Sequence, residues 1–108
     1  MFVEKDGGKV ELHGLCLNKY GKLEASSINL NNYYKLNSSG SFTSDDYDQR
    51  SRNLANTAQD VDLEVTSTEV LLRAKLRNGR DASVNLNINI ENRDGSFKFE
   101  KQYVSHCF

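Results

Sequence analysis

The stretch SVNLNINIENRDGSF, residues 83–97, is written twice in this chain; the earlier copy is SINLNNYYKLNSSGSF, residues 27–42. Ser27-Ile28-Asn29-Leu30-Asn31 aligns with Ser83-Val84-Asn85-Leu86-Asn87, an offset of 83 − 27 = 56. Gly40-Ser41-Phe42 aligns with Gly95-Ser96-Phe97, an offset of 95 − 40 = 55. Upstream, Leu12, Gly14 and Cys16 match Leu72, Ala74 and Leu76, an offset of 72 − 12 = 60. A drifting offset is the mark of a tandem repeat with small insertions and deletions in its loops. Halves of about 50 residues bury too little surface to stand comfortably alone, so a shared core is expected.

Working outward from the repeat, the apolar period is mostly two, which argues for strands. Val61, Leu63 and Val65 alternate in one run; Val70, Leu72, Ala74 and Leu76 alternate in the next, and Thr66-Ser67-Thr68 can turn a hairpin between them. Asp6-Gly7, Asn78-Gly79 and Asp94-Gly95 are further hairpin signals, because glycine supplies the positive φ of such turns. The repeated core stretch itself is ambiguous. Strict alternation would carry the second copy as a strand through Ile90, whereas its asparagines also suit a single helical turn capped by Asn. Residues 44–56, SDDYDQRSRNLAN, are polar and without a consistent period, and read as the linker between halves. The expected fold class is all-β: short strands, β-hairpins and brief helical turns, with no long helix.

The bulk composition narrows the function. The chain has 108 residues, 37% hydrophobic and 27% charged, which describes one globular domain. Lys and Arg number 14 against 15 Asp and Glu, so the chain lacks the strong positive field that nucleic acid or an anionic membrane would attract. No apolar run approaches the ~20 residues of a membrane span. Glu4 interrupts any signal-like opening, which points to a cytoplasmic or non-classically secreted protein, although a signal already removed leaves export open. No nucleophile–base spacing and no Gly-rich phosphate loop is found, so an enzyme is not expected.

Four features together resemble the cyanovirin-N homology family. They are the paired Ser-Ile-Asn-Leu-Asn and Ser-Val-Asn-Leu-Asn strands, the segment IENRDGSFKFE, the stretch Asn53-Leu54-Ala55-Asn56-Thr57, and the tandem repeat of about 50 residues. The resemblance covers nearly the whole chain. It implies an elongated, pseudo-twofold β-rich domain whose halves exchange strands. It also implies a sugar-binding protein for mannose-type oligosaccharides, with a shallow pocket towards each end and no cofactor. In these terms repeat 1 spans about residues 1–47, completed by 102–108, and repeat 2 about 53–101.

Departures from the family pattern matter as much. Many members carry a disulfide in each half; here Ala58 and Leu76 stand where the second-half pair would lie. Cys16 matches a family cysteine, but no cysteine precedes it. The tail KQYVSHCF resembles the opening strand of a repeat displaced to the C-terminus, as in a circular permutation. The resemblance therefore implies that residues 102–108 complete the first half and bring Cys107 to Cys16. The other reading is two reduced thiols, with Cys16 a small core residue.

Carried over residue by residue, one implied pocket comprises Leu17, Asn18, Lys19, Asn92, Arg93, Asp94, Gln102, Ser105 and His106. The other comprises Asn37, Ser38, Ser39, Asn53, Asn56, Thr57, Arg77, Asn78 and Arg80. Short polar side chains and backbone groups suit sugar hydroxyls, each hydrogen bond netting about 1 kcal/mol, so two pockets gain by multivalency. Taken without the resemblance, Asn92 and Asp94 equally fit a plain type I′-like turn before Gly95. The second corner has Ser39 where Asp is usual, one extra residue before it, and a facing loop about four residues shorter than its counterpart, all of which predict a flatter site. His13 and His106 with the two cysteines match no common zinc spacing, and Asp45, Asp46 and Asp48 lack the Gly and Glu of an EF-hand. A monomer is expected, with 44–56 as the natural hinge for a strand-swapped dimer. The rival class is a protein-interaction module on the same scaffold with lost sugar binding.

Overall fold

The computed structural model describes residues 1–44 and 53–99. The tail 100–108, which includes Gln102, Ser105, His106 and Cys107, lies outside the described residues.

Each repeat opens with a three-stranded antiparallel meander. In the first, β1 (Phe2–Asp6), β2 (Lys9–Leu17) and β3 (Leu23–Asn29) pair in that order. After β4 (Tyr34–Leu36), β5 (Phe42–Ser44) and the short helix α1 (Asn53–Thr57), the second meander is β6 (Ala58–Val65), β7 (Val70–Leu76) and β8 (Asp81–Asn85). A final hairpin joins β9 (Ile90–Arg93) to β10 (Ser96–Phe99), as β4 pairs with β5. The turns at Asp6-Gly7, 66–68, Asn78-Gly79 and Asp94-Gly95 all close hairpins, as the turn chemistry requires. The polar stretch 44–56 is not linker throughout: its last four residues belong to α1, a helix too short to show a period in sequence.

The ambiguous stretch satisfies both of its readings in succession. The strand runs to Asn29 and then turns into a 3-10 helix at Leu30–Asn32; β8 likewise runs to Asn85 before a 3-10 helix at Leu86–Ile88. The cap in each case is the repeated asparagine. Asn29 accepts from the Asn31 amide and Asn85 from the Asn87 amide, both at 3.1 Å. Asn competes for nearby backbone donors in this way, which is why an alternating pattern breaks here instead of continuing to Ile90.

The halves exchange their hairpins. The second repeat's hairpin β9–β10 lies on the first repeat's sheet, where the Phe97 amide donates to Ser26 Oγ of β3 at 3.0 Å. The Phe97 ring covers Gly14, and a Cβ at that position would lie 2.9 Å from it. Reciprocally, the β4–β5 corner meets β8, with Gly40 against the Asp81 carbonyl. Phe99 stacks on Tyr33 at 4.5 Å and meets Tyr34 edge-on at 5.9 Å, so aromatics of both repeats share one cluster. Repeat-equivalent pairs Leu12 and Leu72, Leu30 and Leu86, and Tyr34 and Ile90 are all buried in the same core. The molecule is elongated, 45 × 29 × 28 Å.

Ala58 and Leu76 face each other across β6 and β7, and both are fully buried. Apolar packing therefore joins the strands at the place where the family's second-half cysteines would stand. Cys16 is buried and forms no disulfide among the described residues; burial pushes its thiol pKa up. No helix among the described residues is long and apolar enough to cross a membrane.

Candidate functional site

The corner 93–96 is a two-residue hairpin. Arg93 pairs with Ser96, while Asp94 and Gly95 take φ of +50° and +90°. Positive φ at both central positions is the type I′ signature, and Asp tolerates it better than most side chains. Asn92 Oδ1 accepts from the Gly95 amide at 3.0 Å, closing the corner locally.

Non-local bonds then clamp this corner to the loop between β2 and β3. Asn92 Nδ2 donates to the Leu17 carbonyl at 2.9 Å, and Asp94 Oδ1 accepts from the Lys19 amide at 2.7 Å. The loop is shaped in turn by Asn18, whose Oδ1 accepts from the amides of Tyr20 (2.9 Å) and Lys22 (3.0 Å). Lys19 Nζ sits 5.3 Å from the centre of the Tyr20 ring, a cation–π distance. Arg93 is held by an ion pair with Glu91. Leu17, Asn18, Lys19, Asn92, Arg93 and Asp94 are thus brought together at the surface, while Gln102, Ser105 and His106 lie outside the described residues. Gly95 is buried against the loop: a Cβ there would collide with the Glu24 carboxylate and meet Asn18 Cβ at 3.1 Å. Glu24 is the participant that sequence reasoning missed. It reaches the corner only because β3 folds back on β2, opposite Cys16, and no local pattern announces that register.

The second corner is built differently. The Asn37 amide bonds the Ser41 carbonyl at 3.0 Å and the Gly40 amide bonds the Asn37 carbonyl at 3.1 Å, enclosing three residues with Gly40 at φ +90°. The extra residue noted in the sequence therefore changes the turn from a two-residue to a three-residue type, ending in a glycine bulge. Asn37 Oδ1 is heavily occupied: it accepts from the Ser39 amide, the Ser41 amide and Ser39 Oγ. The facing loop reaches across through Asn78 Nδ2, which donates to the Ser38 carbonyl at 3.0 Å. Arg77 Nε donates to the Asn56 carbonyl at 3.2 Å, tying the loop to α1. Asn37, Ser38, Ser39, Asn56, Arg77 and Asn78 are thereby gathered, with Arg80 joined through its amide to Asn78 Oδ1 at 3.0 Å. Thr57 is half-buried at the end of α1, and no hydrogen bond links it to this corner among the described residues. Asn53 begins α1.

The facing loops differ in reach because β2 and β3 continue pairing through Cys16–Glu24 and Leu17–Leu23, whereas β7 and β8 end their pairing at Lys75–Asp81. The first corner thus meets a longer projecting hairpin than the second. His13 lies elsewhere, stacked on Phe2, with Nε2 3.9 Å from Glu4. Among the described residues no group of three His, Cys, Asp or Glu side chains gathers to hold a metal.

Comparison with known proteins agrees with this architecture. The CVNH domain family model matches residues 2–98. A solved CVNH structure from N. crassa shares 26% identity, with a TM-score of 0.75 over 93% of this chain and 91% of that one. The CVNH structure of Gibberella zeae shares 26% identity, TM-score 0.69, over 94% and 92%. A designed cyanovirin-N homolog lectin shares 31% identity, TM-score 0.71, over 92% of each chain. No curated protein matches the chain in sequence. With its tandem repeat, exchanged hairpins and family match over nearly all of its length, the chain belongs to the CVNH family, which is built on a lectin fold and tied at family level to carbohydrate binding.

Proposed function

We propose that this protein is a non-catalytic, metal-free lectin for mannose-type oligosaccharides, with its principal pocket at the corner 92–95 and a flatter one at 37–41. One observation carries the reading: the Asn92–Asp94 corner of one repeat is hydrogen-bonded to the Leu17–Lys19 loop of the other. That clamp holds short polar groups in fixed positions before any ligand arrives, and preorganisation of this kind lowers the cost of binding. Asp94 uses Oδ1 for the clamp; its second oxygen remains to accept from sugar hydroxyls. Glu24, beside Gly95, adds a further acceptor. Each such bond nets about 1 kcal/mol, so affinity at one corner is modest and gains from a second.

A second reading, a protein-interaction module with lost sugar binding, is favoured at the 37–41 corner. There Ser39 stands in place of the Asp94 carboxylate, and the facing hairpin ends its pairing at Lys75–Asp81, which leaves a flatter corner with one acceptor fewer for a ligand. Titration with a mannose disaccharide, followed by backbone amide shifts, separates the two. Shifts at 17–19 and 92–95 are expected. No shifts at either corner in millimolar sugar would overturn the lectin reading.

A further inference from the structure

The two corners hold equivalent places in the repeat but carry opposite chemistry. Cys16 and Leu76 are repeat-mates, and each meets the matching residue of the next strand. Cys16 pairs with Glu24, and the Leu76 amide donates to the Arg80 carbonyl at 2.8 Å. Arg80 therefore stands where the first repeat has Glu24, at the offset 80 − 24 = 56 that also relates Ser27 to Ser83. Directly after Cys16 and Leu76 come Leu17 and Arg77. At the tip, Ser39 precedes Gly40 as Asp94 precedes Gly95. The carboxylates of Glu24 and Asp94 have thus become a guanidinium and a hydroxyl, and Leu17 has become a further guanidinium.

Both cations flank the 37–41 corner. Asn78, between them, donates from Nδ2 to the Ser38 carbonyl at 3.0 Å, and the carbonyl of Asp81, next to Arg80, faces Gly40. Arg77 is already oriented, because its Nε donates to the Asn56 carbonyl at 3.2 Å and leaves its Nη groups for another partner. Arg73 and Arg93 are each held by a glutamate, whereas Arg77 and Arg80 enter no ion pair among the described residues. Asp81 is the sole carboxylate in the segments 37–41, 53–57 and 77–81. It is exposed opposite Lys75 in register, while Ala82 beside it is buried, so its side chain lies on the outer face of the sheet.

A neutral sugar both donates and accepts, and carboxylates such as Asp94 and Glu24 meet its donors at the first corner. The second corner has lost those acceptors and gained donors. A guanidinium offers N–H donors and no acceptor. Its complement is a group with acceptors only, and a tetrahedral oxyanion meets the guanidinium fork with paired hydrogen bonds. A lone exposed ion pair is worth little. Two guanidinium groups on one anion, one of them oriented beforehand, do better because less side-chain freedom is lost on binding.

We propose that the 37–41 corner is a subsite for a saccharide carrying an anionic ester, phosphate or sulfate, with Arg77 and Arg80 on the ester oxygens. The two corners then differ in ligand class: the 92–95 corner takes the neutral sugar and the 37–41 corner the charged one. The proposal rests on the lectin reading in one respect, that the 37–41 corner holds a saccharide.

The test follows backbone amide shifts of the full chain in separate titrations with mannose 6-phosphate, mannose and inorganic phosphate at matched ionic strength. Mannose 6-phosphate is expected to shift residues 37–41 and 77–81 and to bind there about tenfold more tightly than either of the others, the scale of one charge-assisted hydrogen bond. Added salt should weaken it. Arg80→Gln is the informative variant, because the Arg80 side chain makes no hydrogen bond among the described residues and the fold has none to lose. It should melt like the parent and bind mannose 6-phosphate about tenfold more weakly. Silence at 37–41 in millimolar mannose 6-phosphate, equal binding of inorganic phosphate (an adventitious ion only), or an unchanged affinity in Arg80→Gln would each overturn the proposal. The neutral mannose disaccharide at 17–19 and 92–95 tests the lectin reading separately. A response there with silence here removes the anionic subsite and leaves the lectin. A response here with silence there keeps the subsite and removes the principal pocket from 92–95.

Discussion

The Lys19 amide donates to Asp94 Oδ1 at 2.7 Å, joining residues 75 positions apart in sequence. Asp94 therefore holds the facing loop, and in the proposed lectin its second carboxylate oxygen also accepts from the sugar. Asp94→Ala is expected to cost about 1–2 kcal/mol, from the lost hydrogen bond and from a Cβ-bearing residue less tolerant of φ +50°. It should also abolish sugar-induced shifts at 17–19. Asp94→Asn keeps an acceptor and tolerates the left-handed backbone, so it should stay within ~1 kcal/mol of the parent. Urea titration checks both; an unchanged midpoint for Asp94→Ala would contradict the clamp.

Two glycines with nearly the same backbone angle separate strain from crowding. Gly79 (φ +88°) has open space around it, whereas Gly95 (φ +90°) is pressed against Glu24 and Asn18. Gly79→Ala should cost about 1–2 kcal/mol through backbone strain alone. Gly95→Ala should cost about 1–3 kcal/mol more, because the loop must also move. Equal urea midpoints for the two variants would mean that the corner is not packed as described.

Ala58 and Leu76 oppose each other, buried, on paired strands. Replacing both with cysteine should allow a disulfide closing a loop of 76 − 58 = 18 chain steps. Chain-entropy estimates put the gain near ~3 kcal/mol, reduced by the lost packing of Leu76. A non-reducing gel and melts with and without reductant measure it. The oxidised form should melt higher than the same variant reduced.

Tyr34 is fully buried, and burial raises its pKa well above the ordinary 10.0. A raised folded pKa means that stability is fully present below the unfolded value and falls as pH climbs beyond it. Stability should therefore decline above about pH 10. The hydroxyl has no hydrogen-bond partner among the described residues. Tyr34→Phe should then be neutral or slightly stabilising at pH 7 and should flatten the alkaline decline. A loss of more than ~1 kcal/mol at pH 7 would imply that the hydroxyl is bonded in solution.

Much of the architecture was written locally. The hairpins at Asp6-Gly7, Asn78-Gly79 and Asp94-Gly95 follow from turn chemistry that needs only two residues. The repeat announced two similar halves, and Asn29 and Asn85 carried the two alternatives that the structure uses in turn, strand and then capped 3-10 helix. α1 was not legible as a helix, because five residues are fewer than two turns and its stability comes from seating Leu54 and Ala55 in the other half's core.

The corner residues Asn92 and Asp94 were likewise visible in SVNLNINIENRDGSF, but only as a turn or a site, not as both. Tertiary structure decided what that turn packs against, by bringing the Leu17–Lys19 loop and Glu24 to meet it. It also decided that Phe97 lies over Gly14 of the first repeat and not over its own sheet. A period of two tells which face of a strand is apolar, and a Gly tells where the chain reverses. Neither names a partner some 70 residues away. That choice belongs to the complementary surfaces of the two halves, which exist only once both have folded.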